Sequence, residues 1–207
     1  PNCAAMAAAI PMLPSYGVGV IESVYREVAL TLTYTAAMVI ALALSANRIP
    51  GEVERRTIYN VLTRSVRRWE YVLGTWLGIA ATIGGVLMAF GIVVFGFGLA
   101  VYRVPMWQLW QGVVAIWLEA SIVSAFCMAV SAAAGPVVVA TAALAFLFIA
   151  HARSGLLTPD QFAWRIYPSL DTFNIINPVA HGSGVGLPYV LIMLLVFIGW
   201  AGGLLLV

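Results

Sequence analysis

Residues 71–102 run from tyrosine to tyrosine without a single acidic or basic side chain, and no other feature restricts the fold of this chain so tightly. At about 1.5 Å per residue, a helix of that length outreaches the roughly 30 Å hydrocarbon core of a bilayer. No water is available at that depth, so every backbone N–H and C=O must be bonded within its own segment or around a closed barrel. Alanine, glycine and leucine dominate the run, and it lacks the polar and apolar alternation of barrel strands, which selects helix.

Composition extends the same conclusion to the whole chain. With 63% hydrophobic and 9% charged residues and a mean hydropathy of +1.01, there is too little polar surface for a water-soluble globule of 207 residues. The expectation is an all-α integral membrane protein, one transmembrane domain over 1–207, with spans at about 28–46, 71–102, 107–133, 137–152 and 187–207. Residues 3–13 are too short to cross a bilayer and read as the end of an incomplete first span, which brings the number to six. A start at Pro1 and an apolar finish on Val207 read as a piece of a longer protein.

Lysine does not occur, so orientation rests on arginine. Residues 47–70 hold Arg48, Arg55, Arg56, Arg64, Arg67 and Arg68 against Glu52, Glu54 and Glu70, whereas Arg26, Arg103, Arg153 and Arg165 are spread over the opposite side with four acidic residues. The arginine-rich loop is therefore expected in the cytoplasm and the long connection 153–186 outside. In that outer connection Thr158-Pro-Asp-Gln161 combines a capping box with proline at the first helical position. A short interfacial helix is expected there, with a second apolar turn near Leu170, Phe173 and Ile176. Residues 71–102 exceed what a bilayer needs, so tilt, a bend near Gly84 and Gly85, or extension into the cytoplasm is expected. Gly74-x-x-x-Gly78 and Gly199-x-x-x-Gly203 match the small-residue packing pattern and are expected to serve packing within one subunit.

Within the cytoplasmic loop, Ile58, Val61, Leu62, Ser65 and Trp69 recur at helical spacing opposite Arg56, Asn60, Arg64 and Arg67. Such an amphipathic segment can pack one face on the spans and keep the other wet; contact with anionic lipid is the plain reading of its arginines. Its wording is more specific. Glu54-Arg-Arg-Thr-Ile-Tyr-Asn-Val-Leu-Thr followed by Val66-Arg-Arg-Trp-Glu-Tyr-Val-Leu-Gly74 resembles the cytoplasmic loop of type-2 ATP-binding-cassette (ABC) permeases. Ser65, Arg67 and Thr75 depart from that pattern, standing where proline, serine and lysine are usual. Tyr167-Pro-Ser-Leu-Asp-Thr-Phe-Asn174 with His181-Gly182 is similar to a second pattern, found before the last span of one subgroup.

The resemblance implies a six-span permease bundle whose loop contains a coupling helix, seated in a groove of a separate cytoplasmic ATPase. Glu54, Arg55, Arg56, Thr57, Arg67, Arg68, Trp69 and Glu70 would make that junction. It further implies a multi-pass protein of a bacterial or archaeal cytoplasmic membrane, paired with a second permease copy, a homodimer. A periplasmic partner and membrane lipid complete the expected contacts, and nucleic acid is not among them. ATP and magnesium would be bound by the partner ATPase; this chain, which carries no G-x-x-x-x-G-K-[ST] loop, would hold no cofactor and would not be an enzyme.

Glu119 is the one ionisable group deep within a span. A charge there costs about 2.5–3.5 kcal/mol, so it must face protein or a wet cavity, or be neutralised. It is either a group that lines the substrate route or relays a proton, or a carboxyl hydrogen-bonded to a neighbouring span. His151 and His181 read as interfacial side chains, and two histidines without a cysteine or carboxylate at ligand spacing point to no metal. Cys3 and Cys127 read as ordinary thiols. The function expected is the membrane-spanning subunit of an ATP-driven exporter; a structural subunit anchoring a larger membrane complex shares its hydropathy and is the alternative.

Overall fold

A computed structural model of the chain describes residues 13–46, 48, 51, 67–103, 106–156 and 169–205. They form an all-helical bundle, with α1 Leu13–Ala46, α2 Arg68–Tyr102, α3 Gln108–Ser131, α4 Pro136–Leu156, a 3-10 turn Leu170–Phe173, the short α5 Ile176–Ala180, and α6 Leu187–Leu205. Four of these are long and apolar enough to cross a membrane, and α4 contributes a shorter apolar stretch, Pro136–Ala152.

α3 is the centre. It is mostly buried, whereas α1, α2 and α6 turn most of their surface outward, and it packs on α1, α2, α4, α5 and α6. Small residues on α3 and its neighbours let the helices approach. Gly112 lies against Leu30 of α1, and a Cβ there would come within 2.9 Å of the Leu30 Cδ2. On the other flank the rings of Phe126 and Phe146 stack at 4.2 Å and join α3 to α4.

Two indoles lock α2 to α3. Trp76 Nε1 donates to the Ser121 carbonyl at 3.0 Å, and Trp117 Nε1 donates to the Ala80 carbonyl at 2.8 Å. Tryptophan usually sits at the membrane interface. Here each N–H is carried to membrane depth because a carbonyl of the facing helix receives it. Gly84 makes the second contact sterically feasible, since a Cβ at that position would stand 2.9 Å from the Trp117 Nε1.

The helices extend beyond several of the expected spans. The first helix is described from Leu13, and its stretch long and apolar enough to cross a membrane is Val20–Ala46, which contains the expected 28–46. Glu22 and Arg26 lie one turn apart and form an ion pair, so that turn carries little net charge and the helix continues through it. Residues 3–12, expected as the end of an earlier span, lie outside the described residues. α2 is one continuous helix through Gly84 and Gly85, ending where Arg103 adopts the left-handed conformation and its N–H returns to the Leu99 carbonyl. Gly74, Gly78, Gly199 and Gly203 have no atom within 4 Å of an added Cβ, so neither small-residue pattern packs against another helix among the described residues.

Candidate functional site

Glu119 projects from the middle of α3 and is 1% exposed. Tyr34 of α1 donates its hydroxyl to Glu119 Oε1 at 3.0 Å, and His151 Nε2 of α4 lies 3.3 Å from the same oxygen. Three helices therefore converge on one carboxylate oxygen. His151, expected as an interfacial side chain, is a neighbour of Glu119 instead. His151 lies near the end of the apolar stretch Pro136–Ala152 of α4, where its imidazole reaches Glu119.

The space beside Glu119 and His151 is filled by a segment that follows α4 in the chain. Leu170 and Phe173 of the 3-10 turn and Ile175 and Val179 around α5 are buried against α1, α3 and α4. The apolar turn expected near Leu170, Phe173 and Ile176 is thus present, and it inserts between the spans rather than resting on them. The C-terminal part of the segment is tied down twice. Arg26 donates to the Ala180 carbonyl, and Gly182, at φ +73°, leaves room for the Arg26 Nη1 that would lie 2.9 Å from a Cβ. Gln111 of α3 accepts the Val185 N–H at 2.8 Å and donates back to the Val185 carbonyl at 3.4 Å.

A cavity of about 310 Å3 remains between the inserted segment and the three helices. Its polar lining is Tyr34, Glu119, His151 and Asn174; Ile116, Phe173 and Ile176 supply its apolar walls. That volume suits a small ligand or head group. Asp171 stands close enough to Glu119 to act on it electrostatically. Among the described residues no cluster of three histidine, cysteine, aspartate or glutamate side chains has metal-binding geometry. His181, by contrast, remains exposed, its Nδ1 at 2.9 Å from the Asn177 carbonyl.

At the opposite end of the bundle only part of the arginine-rich loop can be placed. Glu54, Arg55, Arg56 and Thr57 lie outside the described residues. Arg67 and Glu70 form the start of α2, where the Glu70 carboxylate accepts the Arg67 N–H at 3.1 Å; Arg68 opens the helix and Trp69 is exposed. An acidic side chain in the first turn also opposes the positive end of the helix dipole. Thr75, where the permease pattern has lysine, turns its hydroxyl back to the Tyr71 carbonyl at 2.9 Å.

Residues 4–157 match the ABC-2 family transporter protein, and the match takes in the arginine-rich loop, α1 to α3 and α4. The chain belongs to the ABC-2 transporter family. No curated protein and no solved structure matches it. As an ABC-2 permease component it is a multi-pass membrane protein, and the resemblance carried by Glu54 to Gly74 falls within the matched residues, whereas Tyr167 to Asn174 lies beyond them. The second of those patterns acquires a physical meaning here. Leu170 and Phe173 anchor the inserted segment, Asn174 faces the Glu119 cavity, and Gly182 admits Arg26.

Sequence reasoning missed Tyr34, His151 and Asn174 as neighbours of Glu119, and it missed the tryptophan clamps. A signal existed for the clamps alone: Trp76 and Trp117 lie well inside apolar runs, where an indole N–H must find a protein acceptor.

Proposed function

We propose that this chain is the membrane-spanning permease subunit of an ATP-driven ABC exporter, moved by a separate cytoplasmic P-loop ATPase through residues 52–70. It works beside a second copy in a bacterial or archaeal cytoplasmic membrane, with the arginine-rich loop inside. ATP and magnesium belong to the ATPase, and Glu119 lies on the route of the cargo. The outer segment 169–186 is available to a periplasmic partner.

The observation that carries this reading is the mechanical continuity from the loop to the cavity. α2 begins at the loop as a helix fixed by Glu70, and within three turns Trp76 grips the Ser121 carbonyl. Four residues further along, Ala80 receives Trp117. These two α3 positions bracket Glu119 at two residues to either side, about 200° around the helix, so α2 holds the side of α3 turned away from the cavity. A shift of α2 driven from the loop moves α3 as a unit. Glu119 then moves relative to Tyr34 on α1 and His151 on α4, which changes the cavity.

Purification of the chain with its ATPase partner tests the junction. Arg55→Glu together with Arg56→Glu is expected to release the ATPase or to leave its hydrolysis unresponsive to transport. ATPase association and transport both intact in the double variant would remove residues 52–70 from the coupling path.

A further inference from the structure

The contacts of His151 bear on how many protons the site holds. His151 Nδ1 lies 3.1 Å from the Leu147 carbonyl, which can only accept, so the contact is a hydrogen bond when Nδ1 carries a hydrogen. Nε2 then faces Glu119 Oε1 at 3.3 Å either as a lone pair or as a second N–H. A lone pair opposite a bare carboxylate would be repulsive, so one proton must lie between the two groups, on the carboxyl or on the ring. Either way the pair is neutral overall, as burial at this depth requires. Tyr34 is the third titratable group in contact, donating to the same oxygen, and Asp171 stands at the inserted turn. The nearest cation on α1, Arg26, is engaged by Glu22 and the Ala180 carbonyl.

We propose that the Glu119 cavity binds a monovalent organic cation, an alkylammonium head group, in exchange for the proton shared by Glu119 and His151. A cation entering while that proton stayed would leave a buried net positive charge. Release of the proton to the outer aqueous side leaves carboxylate, neutral imidazole and one bound cation, so the charge of the cavity is unchanged. The carboxylate is held for this by the Tyr34 hydroxyl. The rings of Tyr34 and Phe173 offer aromatic surface to an ammonium group, and Ile116 and Ile176 receive its alkyl substituents. A divalent metal fits poorly, because it would meet one carboxylate and one imidazole and would not be neutralised by the loss of one proton.

The assignment of this cation as cargo rests on the transport reading; the binding and the proton exchange do not. Calorimetric titration of the full chain, in nanodiscs of zwitterionic lipid, with hexyltrimethylammonium can be run in two buffers of different protonation enthalpy. Saturable binding is expected, with about one proton released per cation and with empty nanodiscs showing none. Glu119→Gln is expected to weaken binding by about tenfold or more, as loss of a charged partner should, and to abolish the release. Ile116→Trp, which fills the cavity, should also lose binding. Hexanol binding as well as the cation, cation binding without proton release, or unchanged binding in a folded Glu119→Gln protein would each overturn the proposal. If Glu119→Gln fails to fold, the proton count on the unaltered chain decides alone. Binding with proton release in a chain that couples to no ATPase would uphold the site and remove its transport role.

Discussion

A carboxyl at the centre of an apolar helix costs about 2.5–3.5 kcal/mol, and Glu119 is accommodated because two side chains from other helices meet it on Oε1. Those partners lie 85 residues upstream and 32 residues downstream in the chain. Nothing in the local sequence links them: the register between helices, which decides who meets whom, is set by packing contacts such as Leu30 on Gly112. The need for a partner was legible in Glu119, and its identity was not. Glu119→Gln keeps the shape and removes the exchangeable charge, so transport is expected to fall severely while the ATPase stays bound. Transport assays over a range of pH check this, and full activity at every pH would take Glu119 off the route. Tyr34→Phe removes only the hydroxyl donor and should weaken cation binding by about tenfold or more while leaving proton release in place, since a hydrogen bond to a charged group contributes about 1.5–3 kcal/mol.

Among the elements, α2 and α3 behave as one clamped unit. Trp76→Phe and Trp117→Phe each remove one interhelical hydrogen bond, a loss of about 1 kcal/mol apiece. The carbonyls they leave retain backbone donors or lie in a helix ladder, so larger losses are not expected. Gly84→Val forces the Trp117 indole away from Ala80 and should cost about 1–3 kcal/mol through overpacking. Thermal unfolding in detergent measures the loss of stability, and cargo-stimulated ATP hydrolysis should fall further than stability alone explains. Stimulation retained in a destabilised Gly84→Val protein would show that the clamp does not transmit motion. The helices themselves were legible from hydropathy because a bilayer leaves the backbone no other choice. Their ends were less so, as α1 shows: Glu22 and Arg26 look like a boundary when counted singly, yet their pairing lets the helix pass. The burial of the outer segment was also hidden, because an apolar turn at Leu170 and Phe173 suits a membrane surface as well as a gap between spans.

For the whole molecule, the arrangement is asymmetric between its two faces. On one side the chain inserts its own loop to cover the Glu119 cavity; on the other it presents an arginine-rich segment ahead of α2. Family membership assigns the bundle to an ABC-2 transporter, and the path proposed through α2 and α3 would give that assignment a mechanical form. The glycine patterns at 74–78 and 199–203 find no neighbour among the described residues. Sequence spacing alone could not separate contact within one subunit from an outward face, since the same glycines serve both. Site-directed cross-linking reaches the coupling path most directly. A cysteine at Arg56, carrying a short photo-activated linker in native membranes, is expected to capture a chain that binds ATP, whereas a cysteine at Trp107, 67% exposed beyond the far end of α2, should not. Capture of the ATP-binding chain from Trp107→Cys and not from Arg56→Cys would place the ATPase on the other face and end the coupling role of residues 52–70.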